Sequence, residues 1–461
     1  MAPDNEALIT ANTTISDQTQ SPTYSDSLLK HPHHSLSFQF ECARPDLCYG
    51  TVVIPATIVD DFYHEAAKSQ QKTAQTYGFH HGEVPLEYIK QNFTDNLTDH
   101  AKELLFKYCV INYLYEQIRI NKLVLVGDPR LTEIALRPQE EGRFTFEISL
   151  FPDLTIFDWK YFPFKAPKRK NYKDLDRQVE SFIEEEKNNF QNLASEELTV
   201  GDWVGFNLAF VGHDEQLLLD GFSQPFWFKI GADETESPLR QVFIGKKLGD
   251  RFRTDHHALQ DYFSEELDTN YLFDIEITGT LSYRYFCFDH FKKTFRIKTN
   301  KDMHKKMIEA FSYRQDISQR HAMVEEAIRV LLSKHKFSIP NHLILRQQKK
   351  ILERIQHNPD YHVYRAEKDF QNYVRNLAEK LVAESIFIDK LAYIENITVN
   401  DEDIKGYLNL TNRHRMKEFI YFDIPSFTIQ GQQAPIPAEE LKRICLREKT
   451  INYVIYHLTK K

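Results

Sequence analysis

The sequence predicts a multidomain protein of mixed α+β and α class, with two sheet-containing regions followed by an elongated, all-helical one. Its 461 residues, 41% of them apolar, are more than one hydrophobic core holds. Apolar side chains alternate at period two in residues 35–56, in residues 144–150 and in short runs between 203 and 281, which is typical of strands. From Asn300 onward they recur at helical spacing, which indicates a change of fold class.

The N-terminal region combines strands with a long helical hairpin, and we assign it to a domain over residues 31–150. The predicted elements are strands within residues 35–56, helices over residues 57–76 and 86–121, and strands over residues 124–126 and 144–150. Residues 1–30 are rich in Ser, Thr, Asn, Asp and Gln and predict a disordered tail.

The two N-terminal helices are joined by the stretch Tyr77-Gly78-Phe79-His80-His81-Gly82-Glu83-Val84-Pro85. Glycine tolerates positive φ and proline fixes φ, so these residues predict a tight, exposed turn at the tip of the hairpin. An ordinary helix–helix connection is the alternative interpretation.

The middle of the chain begins with a proline-containing linker, residues 151–170, and continues as a sheet domain over residues 171–282. A helix is predicted over residues 174–193, and strands over 203–211, 226–228 and 271–281. Because little helix separates these strands, an antiparallel sheet around a short helix is expected.

The C-terminal region, residues 283–461, is predicted to be entirely helical. The helical segments are residues 300–336, a segment opened by Pro340, residues 360–394, a segment capped by Asn400 with Asp403 at the capping-box position, and a last helix from Pro437 to Leu458. A helix of about 35 residues is about 50 Å long, so we expect an elongated body with arms.

The charge is unevenly spread along a chain whose net charge is −9. Residues 283–461 hold 32 Lys and Arg against 22 Asp and Glu, a net charge of +10, whereas residues 151–282 hold 14 against 25, a net charge of −11. The basic end indicates either a solvated helical face or a site for a polyanion, and the interspersed acids favour the first.

The five cysteines form no CxxC pair, which predicts free thiols in a reducing cytoplasm. We expect no membrane span, no secretory signal and no cofactor, because the chain has no long apolar run and no GxxxxGK[ST] loop. We interpret His31, His33 and His34 as a flexible, solvent-exposed patch rather than a metal site. The pairs His80–His81 and His256–His257 lack partners at ligand spacing, so we expect no metal there.

The order of these regions resembles the bacterial trigger factor, in which a ribosome-docking domain is followed by an FKBP-type prolyl isomerase domain and a helical chaperone domain. In that family the docking tip is Gly-Phe-Arg-x-Gly-Lys-x-Pro. Here Gly78, Phe79, Gly82 and Pro85 keep the frame, while His80 and Glu83 stand where the family has Arg and Lys, beside His81. The resemblance implies ribosome contact through these seven residues, weakened by the reversed charge of Glu83.

The resemblance also implies an FKBP-like isomerase pocket walled by Leu208, Phe226, Phe228, Tyr262 and Phe273. Such a pocket lowers the roughly 18–20 kcal/mol rotation barrier by desolvating the imide. The family's Ile-Pro-Gly-Phe-Glu segment is Glu236-Ser237-Pro238-Leu239-Arg240 here, whereas Phe243-Ile244-Gly245-Lys246-Lys247-Leu248-Gly249 matches well. We therefore expect low activity, and the alternative is that these side chains form the core of the sheet.

In the helical region the resemblance implies a cradle for unfolded chains lined by exposed Met303, Met307 and Phe311, unless these pack against neighbouring helices. The implied function is ATP-independent chaperoning of nascent and unfolded polypeptides in the cytoplasm. It takes place at the large ribosomal subunit near the exit tunnel, with a homodimer away from the ribosome and with no membrane or specific DNA partner. A non-catalytic holdase with weak or no ribosome association is the alternative, and a secreted folding factor is disfavoured by the missing signal.

Overall fold

The computed structural model of the protein describes residues 36–44, 47–121, 123, 125–151, 155–168, 173–191, 196–219, 222–264, 269–356, 358–424, 428–429 and 431–460. The predicted tail, residues 1–30, and the histidines His31, His33 and His34 lie outside the described residues. Among the helices that the structure describes, none combines the length and the apolar character needed to cross a bilayer.

The strands pair into two larger sheets and two small hairpins. In chain order they are β1 (Ser37–Arg44), β2 (Leu47–Ile54), β3 (Arg130–Ala135), β4 (Gly142–Ser149), β5 (Trp203–Val211), β6 (Gln224–Lys229), β7 (Arg251–Thr254), β8 (Leu272–Leu281), β9 (Tyr313–Arg314), β10 (Ile317–Ser318), β11 (Thr428–Ile429), β12 (Gln432–Gln433) and β13 (Ile436–Pro437).

The helices dominate the second half of the chain. In order they are α1 (Ala56–Thr73), α2 (Leu86–Asn92), α3 (Thr94–Leu105), α4 (Ile111–Ile120), α5 (Lys173–Gln191), α6 (Arg240–Phe243), α7 (His257–Phe263), α8 (Phe288–Thr294), α9 (Asn300–Phe311), α10 (Gln319–Lys334), α11 (Asn341–Gln356), α12 (Tyr361–Arg365), α13 (Phe370–Ile394), α14 (Asp401–Thr411) and α15 (Ala438–Thr459). The predicted mixture of antiparallel sheets and many helices is confirmed.

The chain folds into two units, each built from several stretches of sequence. The first contains residues 1–152, 207–224 and 252–275, and the second contains the remaining residues. This division into two units does not test the domain boundaries expected from the sequence, which stay a prediction.

The first unit is built on a four-stranded sheet in the order β1-β2-β4-β3. The neighbours pair antiparallel, with Val52 opposite Phe144 and Cys48 opposite Ile148. On β4 the buried positions alternate along the strand, as the period-two pattern predicts. Strand β3 escaped prediction because most of its side chains are exposed, so its sequence carries no apolar alternation.

Buried aromatic rings join the separate stretches of the first unit. Tyr108 meets Phe210 edge-to-face at 4.7 Å between ring centroids, and Phe210 meets Phe263 at 4.8 Å and Phe273 at 5.0 Å. All four residues are fully buried or nearly so. Each edge-to-face pair adds about 0.5–1.5 kcal/mol beyond the burial of its area, so these contacts help to hold residues 207–224 and 252–275 in this core.

The second unit has a core in which short strand β13 pairs antiparallel with β6, placing Ile436 opposite Trp227. Those two residues share a buried cluster with Trp203, Tyr407 and Leu441. Helix α14 begins at Asn400, whose side chain accepts from the backbone N–H of Asp403 while the Asp403 carboxylate accepts from the Asn400 N–H. The predicted capping box is therefore confirmed.

The prediction of long, continuous helices is wrong for several segments, because the structure interrupts them. The segment 300–336 forms α9, the β9–β10 hairpin and α10 rather than one helix. At the hairpin, Gln315 and Asp316 adopt φ of 51° and 59°. Two consecutive left-handed residues make the tight turn that matches strand twist, and they cannot continue a right-handed helix. Similarly, Phe93 separates α2 from α3, and residues 366–369 separate α12 from α13.

The expectation of free thiols is wrong for two of the five cysteines. Antiparallel pairing of β1 and β2 places Cys42 opposite Cys48, and the two form a disulfide. Cys109, Cys287 and Cys445 are free thiols. The sequence spacing alone did not reveal the pair because only the strand register brings the two side chains together.

Candidate docking and binding sites

The tip between α1 and α2 is anchored from inside by one apolar side chain. Val84 is fully buried in a cluster with Ala74 and Ile89. The side-chain amide of Gln71 donates to the Val84 carbonyl at 2.6 Å, which ties the end of α1 to the returning chain. This anchor places the intervening turn at the end of the hairpin.

Two glycines and a proline determine the path of the turn. Gly78 and Gly82 have φ of 92° and 81°, in the left-handed region that side chains with a Cβ rarely adopt. Pro85, at φ −59°, directly precedes α2 and accepts the Ile89 N–H at 3.1 Å. The predicted tight turn is confirmed, and its shape depends on those residue types.

The turn presents aromatic, imidazole and carboxylate side chains to solvent. Tyr77 is completely exposed, and Phe79 is 39% exposed with its ring 5.2 Å from that of Tyr88. His80, His81 and Glu83 are also exposed. Tyr77 was missing from the residues predicted to make the contact, although it directly precedes Gly78 in the stretch that carried the prediction.

The five predicted isomerase residues fall in different units and mostly in their cores. In the first unit Leu208 and Phe273 are fully buried, and Tyr262 is half-buried. In the second unit Phe226 and Phe228 are at most 2% exposed. This burial agrees with the alternative that the residues form the core, and their catalytic role stays a prediction.

The aromatic partners of these residues explain their burial. In the second unit the ring of Phe226 stacks on Phe206 at 5.5 Å, and that of Phe228 lies 6.0 Å from Phe243. The segment after Phe243 is different, because Ile244 and Leu248 are exposed beside glycines with positive φ. The part of the middle region that best matches the family motif therefore displays two apolar side chains on a turn.

The expectation that Met303, Met307 and Phe311 are exposed is wrong. They lie on one face of α9 and are 3%, 0% and 8% exposed, packed with Val179 of α5 and Phe291 of α8. The alternative, packing against neighbouring helices, is what the structure shows. An amphipathic helix buries its apolar stripe wherever a partner is available, and the sequence could not show that α5 supplies one.

A cavity of about 490 Å³ lies where α5, α8 and α9 meet, and Met303 is among its lining residues. Its other walls include the aromatic side chains of Phe190, Tyr285 and Phe288. Phe190 is 57% exposed, and its ring meets that of Tyr285 edge-to-face at 4.9 Å. We call this the aromatic cavity. Its volume lies in the range of small-ligand pockets.

Helices α11 and α13 carry exposed apolar side chains that sequence analysis missed. Ile344 of α11 and Val374 of α13 are buried. Leu345, Tyr373 and Leu377 are exposed by 51%, 63% and 44%. Tyr373 and Leu377 are four residues apart and therefore share one face of α13. The sequence contained a signal for this exposure, because these helices carry more apolar residues than a single buried stripe needs.

Residues 49–185 match the family model of the bacterial trigger factor protein, and residues 299–455 match the model of its C-terminus. The chain belongs to the trigger factor family. Trigger factors are ribosome-associated chaperones, so the resemblance found in the sequence is confirmed. Most of the predicted isomerase domain lies between the two matched ranges.

Curated relatives show the same likeness over most of the chain. The trigger factor of Rickettsia massiliae is 21% identical over 419 residues, which cover 89% of this chain and 91% of the relative. That of Geotalea daltonii is 22% identical over 365 residues, 76% of this chain and 82% of the relative. A solved trigger factor chaperone structure, described for promiscuous substrate recognition in folding and assembly, aligns with 91% of this chain and all of its own at 16% identity and a TM-score of 0.36.

Proposed function

We propose that this trigger factor docks on the large ribosomal subunit near the exit tunnel through residues 77–85 and binds emerging polypeptide without ATP, in the cytoplasm. The proposal rests on the structure of the tip. Exposed Tyr77 and Phe79 lie on a turn whose shape is set by two positive-φ glycines and by buried Val84. A preorganised turn loses little conformational entropy when it binds.

The chemistry of the tip predicts an apolar contact with an electrostatic penalty. Ribosomal surfaces are rich in phosphate, which attracts cations in a salt-dependent way. The exposed Glu83 carboxylate opposes that attraction. The affinity then depends mainly on Tyr77 and Phe79, and docking is weaker than a tip with two cations would give.

Co-sedimentation with ribosomes tests the docking proposal. Phe79→Ala and Tyr77→Ala should each weaken binding at every salt concentration, because the contact they lose is apolar. Ile120→Ala is a matched control, since Ile120 is a 59% exposed apolar residue of the first unit outside the tip. Unchanged binding of the Phe79→Ala, Tyr77→Ala double variant would show that the tip is only a helix–helix connection.

For client binding we propose the exposed face of α11 and α13 and the aromatic cavity, instead of the buried face of α9. Both offer apolar side chains to solvent, namely Leu345, Tyr373 and Leu377 on the helix pair and Phe190 at the cavity. Exposed apolar groups that lie close together are typical of polypeptide-binding surfaces.

Light scattering of a refolding enzyme tests this proposal. The chain should suppress aggregation without ATP, and Tyr373→Ser with Leu377→Ser should reduce the suppression. Lys334→Ser with Lys336→Ser is the matched control, because it removes two exposed side chains without removing apolar surface. No suppression by the unaltered chain at several-fold excess would overturn the chaperone proposal.

We propose that prolyl isomerase activity is low. The predicted pocket residues are mostly in packed cores, and Pro238-Leu239 replaces the glycine and phenylalanine of the family. A peptide isomerisation assay on the full chain should show a small rate enhancement. Activity equal to that of a family member with the intact motif would contradict this.

The second candidate function is a non-catalytic holdase, and the buried aromatic residues favour it over a strong isomerase. It predicts aggregation suppression with no peptide isomerisation. A homodimer away from the ribosome is proposed from the family alone, and sedimentation velocity across a concentration series tests it.

A further inference from the structure

Three cavities of the second unit share residues along α8 and the residues that follow it. The aromatic cavity shares Asp289 and Lys292 with a second cavity of about 470 Å³. That cavity shares Lys293, Arg296 and Lys298 with a third, of about 810 Å³. We call the second and third together the basic groove. An aromatic pocket therefore leads directly into a groove of different chemistry.

The basic groove has an excess of cationic side chains. Its lining contains eight cations and four carboxylates. Three of the cations are neutralised locally, since Lys306 pairs with Glu309 and Lys449 with Asp403, both at 2.8 Å, and Lys293 pairs with Glu402 at 3.2 Å. By contrast, Lys292, Lys298 and Lys305 form no ion pair with any residue that the structure describes. Their charge is available to a ligand.

Two further basic side chains, Lys460 and Arg320, lie beside residues that line the groove. Tyr456 lines the groove, and a hydrogen bond and charge interaction with Lys460 lower the pKa of its phenol, with Arg296 and Lys298 adding to the effect. Arg320 is 1% exposed and donates to Asn452, which also lines the groove. Its Nε and Nη1 atoms have no hydrogen-bond partner among the described residues, so its buried charge is only partly compensated.

We propose that the aromatic cavity and the basic groove together bind polypeptide segments in which aromatic residues are followed by acidic ones. The aromatic side chain enters the cavity beside Phe190, and the acidic side chains lie along Lys292, Arg296 and Lys298. This assigns a substrate class to the client binding proposed above and rests on that function. Because Lys292 is half-buried and Arg296 and Lys298 are exposed, each ion pair with a carboxylate contributes little alone, and the preference for acidic segments comes from several pairs acting together.

Single-stranded RNA is a poorer match than an acidic peptide, although both are polyanions. Sequence-independent RNA binding uses free aromatic faces on which bases stack. Here Arg296 and Lys160 each lie 5.5 Å from the Tyr453 ring centroid, and Lys460 lies 5.1 Å from that of Tyr456. Both rings already have cation partners, which leaves the charges of the groove rather than its rings for the ligand.

Fluorescence anisotropy of short labelled peptides with the full chain tests the inference. The probes are a peptide in which phenylalanines are followed by glutamates, its glutamine counterpart and its lysine counterpart. The glutamate peptide should bind about tenfold more tightly than the glutamine peptide, because three partly exposed ion pairs multiply their individual effects. The preference should shrink as salt is added.

The variant Lys292→Gln, Arg296→Gln, Lys298→Gln should lose this preference and keep its affinity for the glutamine peptide. The control Lys334→Gln, Lys336→Gln, Lys368→Gln removes three exposed lysines of the same unit that do not line the cavities, and it should keep the preference.

Three outcomes would overturn the inference. They are equal binding of the glutamate and glutamine peptides, equal loss in the control variant, and displacement of the glutamate peptide by oligouridylate at lower concentration than by unlabelled peptide. In the first case, binding of the glutamine peptide with intact aggregation suppression would leave the chaperone function standing. Failure of both the glutamine peptide and aggregation suppression would refute that function itself.

Discussion

The tip of the first unit and the apolar face of α9 in the second were both predicted to contact other molecules. In the structure the tip is exposed, whereas the face of α9 is buried. Phe79 remains 39% exposed on its turn, whereas Met307 is fully buried among helices. The turn is only a few residues long, and although the Phe79 ring lies 5.2 Å from that of Tyr88, too little of the turn is packed to bury it. A helical stripe repeats over several turns, so it can be covered by another helix. Apolar residues on a constrained turn are therefore better evidence of a contact site than apolar residues on a helix.

The largest expected effect comes from shortening Met307 in the core of the second unit. Met307→Ala should lower the free energy of unfolding by about 2–5 kcal/mol, because it leaves a cavity in a packed cluster. Phe79→Ala at the exposed tip should change it by less than about 1 kcal/mol. Urea unfolding followed by tryptophan fluorescence suits Met307, since Trp159, Trp203 and Trp227 all belong to the second unit.

Amide exchange in α2 would follow the Phe79 variant within its own unit. If Met307→Ala and Phe79→Ala lowered the free energy of unfolding equally, the contrast between the turn and the helix would not hold.

A buried carboxyl of the second unit should make its stability fall as pH rises. Burial raises the pKa of Glu448 to about 7, although it accepts the N–H groups of Tyr421 and Phe422 at 2.5 Å. The unfolded chain releases this proton near pH 4.5, so the stabilisation is full below that value and is lost as pH rises through about 7.

The loss should be on the order of 3 kcal/mol, which Glu448→Gln should remove. Tryptophan fluorescence in urea at pH 5 and pH 8 measures it. If the free energy of unfolding fell equally between pH 5 and pH 8 in Glu448→Gln and in the unaltered chain, the role of Glu448 would be contradicted.

A buried imidazole of the first unit should act in the opposite direction. Burial lowers the pKa of His100 to about 4, and its Nε2 lies 2.7 Å from the hydroxyl of Tyr271. Because the folded state resists protonation, its stabilisation is present above about pH 6.5 and is lost as pH falls to about 4, again by an amount on the order of 3 kcal/mol.

Amide exchange in α3, corrected for its intrinsic pH dependence, should show this acid sensitivity, and His100→Gln should reduce it. The Glu448→Gln variant serves as the control in the other unit. If His100→Gln and Glu448→Gln both changed the pH dependence of the same unit, the assignment of one pH response to each unit would be wrong.

The smallest expected effect concerns the charges at the tip. His80→Arg with Glu83→Lys restores the cations of the family pattern, so ribosome binding should tighten by about 1 kcal/mol or more at low salt. The gain should disappear as salt is raised, unlike the loss caused by Phe79→Ala. Identical salt dependence in the two variants would show that the tip does not meet phosphate.

Much of the fold was predictable because it depends on residues close together in sequence. The alternation on β4, the capping box at Asn400 and the turn at Gly78 and Gly82 were each found correctly from local patterns. The break after α9 was missed because left-handed residues there are Gln315 and Asp316, neither of which is glycine. The basic excess of the last region was visible in composition, but its concentration along one groove was not.

By itself the sequence determined the family, most of the longer helices and strands and the exposed turn at residues 77–85, since glycine, proline and periodicity act through neighbours along the chain. Only the tertiary structure decided that Cys42 pairs with Cys48, that Met307 is covered and that Tyr373 is not. These outcomes depend on which distant segments meet. Whether an apolar or charged side chain becomes core or surface is decided by the partner that packs against it, and local sequence does not contain that partner.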